Sequence, residues 1–427
     1  MTKLINTVWI FTKLPVWNLV LAALVFIFGL AVFVWKPGIY ILSAALFVYF
    51  VLRSVFDESY RKAVKKSSVV KYSILMFAFG IVLALIAMQQ PADLFWFARK
   101  TFVLLVIPPL CLAFREKIFV LVGFAGTTLG FLIAAGITLL RNWGNFGQER
   151  IFGTWPGGTW DTLIAMYALS LLVVIFRGST EKATQLMLAL IFSLAAYFVI
   201  LAGGRATWIA LVVSATLYLV VNNRKLIPLA LFVMGLGISS LFWLSEQRYD
   251  TFMTRASSVI DTHDNASNWT RQQLWNLTVQ HLKSYAANEP SKLVFGAGSE
   301  SYLAEHKTFF PEMKIDAVDR DRLLEYGFPS GDPHNSYLDA IARSGLIWAI
   351  SIIIFLGYLS AREVQNSRRF EGVYIYLYFL IVGMFYSLIP SFSLFFLVWF
   401  MLITPNLFSR PKREDSLPCC PVERSES

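Results

Sequence analysis

Gly331-Asp332-Pro333-His334-Asn335-Ser336-Tyr337-Leu338-Asp339 closes the long polar stretch of a 427-residue chain and opens an apolar helix. Before it, apolar runs of roughly 17–23 residues follow one another, each long enough to cross about 30 Å of hydrocarbon as a helix. Hydrophobic residues make up 57% of the chain and charged ones 15%, too little polar surface for a water-soluble protein of this size. Inside a bilayer every backbone polar group must be bonded within the chain, so the choice lies between helices and a closed barrel. The runs are unbroken rather than alternating, which excludes the barrel. The sequence predicts an all-α, polytopic transmembrane helical bundle.

The predicted spans lie at about 17–35, 39–55, 71–88, 94–114, 118–140, 160–176, 184–202, 206–221 and 226–244, then at about 336–358, 372–388 and 392–408, about 12 in all. This divides the chain into a first spanning region (1–244), a large polar loop (245–333), a second spanning region (334–408) and a tail (409–427). Between the first two spans Lys36-Pro37-Gly38 reads as a tight turn. Bases orient the bundle. Arg53, Arg61, Lys62, Lys65, Lys66 and Lys71 follow the second span; Arg115 with Lys117, Arg177 with Lys182, Arg224 with Lys225, and Arg362, Arg368 and Arg369 follow alternate later ones. An even count places all of these, and both termini, on the cytoplasmic side and the large loop on the other face. The net charge of +10 is therefore a mark of topology. The bases are scattered between spans, so membrane lipid is the expected partner and nucleic acid is not. Cys111 sits in an apolar run and Cys419 and Cys420 in the tail, which gives no disulfide framework. The first apolar run lacks a small-residue cleavage site, so no cleavable signal is expected.

Within the loop, Thr270-x-x-Gln273 resembles a capping box, and Leu274, Leu277, His281, Leu282 and Tyr285 recur at helical spacing. The pattern predicts an amphipathic helix over about 270–286. Phe295-Gly296-Ala297-Gly298-Ser299 reads as a flexible turn with backbone donors to offer. All four histidines, His263, His281, His306 and His334, fall in or beside the loop. None has a partner at HxH or HxxxH spacing, so no metal site is expected. His334 stands apart: Pro333 pre-sets the backbone before it, Asn335 can bond a ring or a substrate hydroxyl, and a neutral imidazole accepts a proton near pH 7. The plainer role is a helix start at the headgroup level.

Arginines form the second constellation. Arg205 enters a span directly after Gly203 and Gly204, and a guanidinium there is costly unless it is paired or snorkelling. Its planar fork suits phosphate oxygens. Arg271 opens the predicted loop helix, where a base opposes the helix dipole. Arg99, Lys100, Arg141, Arg150 and Arg343 belong more weakly to the same positive set, which suits a diphosphate better than a cation. Asp339 and Glu325 are both available to orient His334 or Arg205. No P-loop, dinucleotide fingerprint or nucleophile elbow is present.

Four motifs in this order carry a resemblance: Gly203-Gly204-Arg205-Ala206-Thr207-Trp208, Arg271-x-x-x-Trp275, Gly296-Ala297-Gly298, and Pro333-His334-Asn335-Ser336-Tyr337-Leu338. Together with the span count and the placement of the loop, they resemble the O-antigen ligase family of Gram-negative bacteria. The resemblance implies transfer of a glycan from undecaprenyl diphosphate to a sugar hydroxyl of lipid A-core, in the periplasm, at the inner membrane. It further implies an inverting reaction that needs no metal or cofactor. His334, Arg205 and Arg271 match the family's functional histidine and arginines; Arg99, Lys100, Arg141, Arg150 and Asn335 are the expected substrate contacts. Many relatives carry Ser before the span arginine where this chain has Gly203-Gly204. O-antigen polymerases and protein O-oligosaccharyltransferases therefore stay open, as does, in another class, a lipid-linked sugar flippase.

Overall fold

The computed structural model describes residues 15–143, 153–155, 157–176, 182–222, 224, 250, 253–254, 257, 266–325, 332–367, 371–387 and 393–407. The described elements are helical. Helices α1 (Val16–Val34) and α2 (Lys36–Phe56) are joined through Trp35 alone. Lys36-Pro37-Gly38 is thus the first turn of α2 and not a separate turn, because a proline in the first turn of a helix gives up an amide that has no partner there. A short charged helix, α3 (Glu58–Lys66), starts at Asp57, whose carboxylate accepts the Tyr60 amide at 3.0 Å. Then come α4 (Ser68–Ala87), α5 (Pro91–Thr101), α6 (Val103–Ala113), α7 (Lys117–Arg141), α8 (Gly157–Phe176), α9 (Lys182–Ala202) and α10 (Arg205–Asn222). The predicted fourth span is built from α5 and α6, interrupted at Phe102, with Pro108 and Pro109 removing two amide donors from its second half.

The loop folds as α11 (Ala266–Asn288), α12 (Pro290–Phe295), α13 (Ser299–Phe309) and α14 (Ala317–Glu325). The chain re-enters the bundle as α15 (Ser336–Ser367), followed by α16 (Glu371–Gly383) and α17 (Ser393–Asn406). Among the described residues, 9 helical segments are long and apolar enough to cross a membrane, matching the predicted spans one to eight and ten. The last two predicted spans coincide with the shorter apolar helices α16 and α17. The predicted span at about 226–244 lies outside the described residues.

Small residues let the spans approach closely. Gly123, Gly126 and Gly130 run down the face of α7 that packs on α1; a side chain at Gly126 would meet the carbonyl of Phe26, and one at Gly130 that of Leu30. Trp399 crosses this seam from α17 and donates its indole N–H to Thr127 at 3.0 Å.

The loop is locked to the bundle at two places. Asp93, 3% exposed in the first turn of α5, accepts the amides of Glu300 at 2.7 Å and Ser301 at 3.2 Å and the Ser301 hydroxyl at 2.6 Å. A side chain about two hundred residues away in sequence thereby caps α13. Next to it, α15 breaks at Gly345 (φ 83°), and the segment Gly296-Ala297-Gly298 lies in the break. Ala297 and Gly298 donate to the carbonyls of Ala342 and Arg343 at 3.4 and 3.0 Å. Gly296 and Gly345 face each other so closely that neither has room for a Cβ. The turn read as flexible is pinned, its amides already used. The amphipathic helix also differs from expectation. It starts at Ala266, so Thr270 lies inside it and is no cap; Trp269 packs on the cluster of Leu274, Leu277, Phe310, Met313 and Leu323 and extends the helix backwards.

Asp93→Ala is expected to cost on the order of 1–3 kcal/mol of local stability, since it strands two amides of α13. Hydrogen exchange across residues 299–309 should rise by roughly ten-fold or more while the spans keep their protection. Unchanged exchange in α13 would show that the cap is energetically idle.

Candidate active site

The polar loop returns to the bundle through Asp332-Pro333-His334-Asn335, where hydrogen bonds fix Asp332, His334 and Asn335. Asn335 caps α15: its side-chain oxygen accepts the amides of Tyr337 at 3.0 Å and Leu338 at 3.1 Å, while its amide nitrogen donates to the Met384 carbonyl at 3.1 Å. Asn335 therefore holds the helix start and does not bond the His334 ring. Ser336 donates to the Tyr386 carbonyl at 2.6 Å, and the Tyr337 hydroxyl to the Leu380 carbonyl at 2.6 Å. His334 has φ +48°, the one non-glycine residue in the left-handed region among those described. Asp332 sustains that conformation by accepting the His334 amide at 2.8 Å, and Ser387 donates to the same carboxylate oxygen at 2.5 Å. The imidazole Nδ1 stands 3.9 Å from that oxygen, and half of the side chain is exposed.

Met384, Tyr386 and Ser387, which hold this corner, all come from the turn after α16. The same turn receives Arg271. Its guanidinium carbon lies 5.6 Å from the Tyr386 ring centroid, and Trp275, one helical turn along α11, meets Phe385 at 6.2 Å. The spacing Arg271-x-x-x-Trp275 thus places both side chains on consecutive aromatic residues. Tyr386 also fits against α8, where a side chain on Gly158 would collide with its ring.

Arg205 reaches the same end of the bundle by way of α8. Gly203 has φ +67°, and the space a Cβ on Gly204 would need is filled by the carboxylate of Asp161. That explains the glycine pair: an acid from α8 touches the backbone immediately before Arg205. Asp161 is fully buried, and Arg205 is half-buried at the first position of α10. On α16, the Tyr378 hydroxyl reaches the carbonyl of Thr162, next to Asp161, at 3.4 Å, and Tyr378 lies in the electrostatic range of both Asp161 and Tyr386. The motifs of Arg205, Arg271 and His334 are tied through Asp161, Tyr378 and the 384–387 turn. Asp161 was missed by sequence reasoning, although an acid within the first two turns of an apolar run is itself a signal.

The weaker basic candidates are placed differently. Lys100 is half-buried, with its ammonium 5.7 Å from the Trp96 ring centroid; Arg343 takes the same indole at 5.5 Å. Arg99 is exposed on α5, and Arg141 is exposed at the end of α7. Arg150 lies outside the described residues, as does the side chain of Glu325. Arg343 is buried, bonded through Nε to Asp339 at 2.6 Å and through Nη1 to Ser299 Oγ at 2.7 Å. Asp339 is thus the partner of Arg343. The carboxylate beside His334 is Asp332. Both pairings carry sequence signals: four residues on one helix face for the first, and an Asp bonding the backbone two residues on for the second.

Two further histidines meet in the loop. His281 on α11 and His306 on α13 face each other Nδ1 to Nδ1 at 3.1 Å, stacked among Tyr302 and Phe309. Burial depresses both, His281 to about 4 and His306 to about 3, so at neutral pH both are uncharged and one donates to the other.

Among the described residues, 9 helical segments long and apolar enough to cross a membrane make this a multi-pass membrane protein. Residues 188–353 match a family model described as O-antigen ligase, a family that implies a glycosyltransferase-like enzyme of the ligase/polymerase kind. The window opens in α9, includes Arg205, Arg271 and His334, and closes in α15. The family implies lipid-linked glycan and lipid or polysaccharide substrates in a membrane. Comparison with curated proteins found no match.

The histidine pair gives the loop a pH dependence. Both folded-state values lie below the ordinary 6.5, so the unfolded loop binds protons first as pH falls. Stability is expected to be full above pH 6.5, to fall as pH drops toward about 4 and on to about 3, and to lose nothing further from these groups below that. Hydrogen exchange of 281–309 between pH 7 and about 4.5 measures it, and His281→Phe/His306→Phe should flatten the profile.

Proposed function

We propose that the chain is an O-antigen ligase, transferring glycan from undecaprenyl diphosphate to a sugar hydroxyl of lipid A-core on the periplasmic face of the inner membrane. The observation that carries this reading is the 384–387 turn, which receives the His334 corner and Arg271 side by side. In the proposed step the acceptor hydroxyl attacks the anomeric carbon from the face opposite the diphosphate. The carbon–oxygen bond to the diphosphate breaks, its electron pair stays on the leaving oxygen, and the hydroxyl proton passes to His334. Arg205 and Arg271 hold the diphosphate and stabilise the charge it gains. Lys100 and Arg99, on the neighbouring α5, and Arg141 and Arg150 add to the positive field that draws an anionic lipid. Asn335 keeps the helix start in register beneath the base. The donor already carries a good leaving group, so one displacement inverts the configuration without a covalent intermediate.

The experiment uses purified full-length protein in lipid nanodiscs with labelled undecaprenyl-diphosphate glycan and each acceptor in turn, scored by product mass. His334→Gln is expected to lower transfer by about 10²–10⁴-fold. Arg205→Lys and Arg271→Lys should each cost on the order of 10-fold to 10³-fold, because an ammonium cannot reproduce the fork. Full transfer by His334→Gln under single turnover would remove the base. Product on a second lipid-linked glycan would make the enzyme a polymerase, and product on a protein hydroxyl an oligosaccharyltransferase. Donor crossing the bilayer without bond exchange would make it a flippase.

A further inference from the structure

We infer that Asp332 is the positioning residue of His334, setting the orientation of the imidazole. This rests on the base role proposed above. One carboxylate oxygen is the hub: it accepts the His334 amide at 2.8 Å and the Ser387 hydroxyl at 2.5 Å, and stands 3.9 Å from His334 Nδ1. The first bond keeps His334 at φ +48°, a conformation an unbranched L residue adopts only when its surroundings enforce it. The second fixes the carboxylate to the turn that also seats Arg271. With Nδ1 turned toward Asp332, Nε2 is the nitrogen on the far edge of a half-exposed ring, free to meet an acceptor hydroxyl.

Asp339, the other carboxylate near the start of α15, is bonded to Arg343, which leaves Asp332 as the acid that touches His334.

The test is NMR of the full-length protein labelled with ¹³C-histidine, the His334 ring signal being assigned by its loss in His334→Gln, read beside transfer kinetics. Asp332→Ala removes the oxygen that accepts the His334 amide and the Ser387 hydroxyl; the His334 ring signal is expected to move, and kcat to fall roughly ten-fold with little change in KM for the donor. Asp332→Asn keeps an oxygen for both partners and should restore the signal and most of kcat. Should Asp332→Ala fail to fold, Ser387→Ala releases the same carboxylate and carries the same expectation. A His334 signal unchanged in these variants overturns the inference, even if His334→Gln abolishes transfer and so leaves the base role standing. A moved signal combined with full transfer by His334→Gln supports the positioning and overturns the base.

Discussion

Hydrocarbon offers no partner to a backbone amide or carbonyl, so a helix crossing it can stop only where protein or water takes over. That constraint decides where this chain can do chemistry. Arg205 is the first residue of α10, Asn335 the cap of α15, Asp161 lies near the start of α8, and Tyr386 just past the end of α16. The contacts of Gly158 with Tyr386, Gly204 with Asp161 and Ser336 with Tyr386 bring these ends together. Three helices start in that one place, each presenting the positive end of its dipole. An anion there meets favourable partial charges before any guanidinium is counted.

The sequence carried the spans because length and apolarity are local properties, and it drew attention to Arg205, Arg271 and His334 because each departs visibly from its surroundings. What it withheld was pairing at a distance. Nothing near Ser299 announces that Asp93 will cap α13, since a cap is ordinarily supplied by the residue just before the helix, and here that residue is Gly298 at φ +80°. Nothing in the spacing of His281 and His306, 25 residues apart, predicts that two helices lie side by side with those faces touching. The start of α11 was misplaced for the same reason, because the packing of Trp269 outweighs a capping-box pattern at Thr270.

Two failures were of another kind, since the signal was present and went unused. Asp339 and Arg343 stand four residues apart in one helix, and in a low-dielectric surround that spacing all but commits them to each other. Reading Asp339 as a free carboxylate left the choice between it and Glu325 as orienter of His334, when the Asp-Pro-His sequence already offered a side chain bonding the backbone two residues on. Local geometry should have been spent first on local partners, and only the remainder offered to the site.

The Asp339–Arg343 pair also shows why the loop cannot be treated as an appendage. Removing two charges from water costs several kcal/mol per ion, on the order of what their attraction returns, so a buried pair is weak evidence of stability by itself. Its use lies in what the guanidinium still reaches: Ser299 on the loop and the Trp96 indole on α5. Two residues further on, Gly345 opens α15 and admits Gly296. A single arginine thus fastens the first turn of α13, helix α5 and the start of the helix that His334 precedes. Motion of the loop relative to the bundle would have to break the Arg343–Ser299 bond or carry α15 with it, and in the second case would reach His334 through covalent structure.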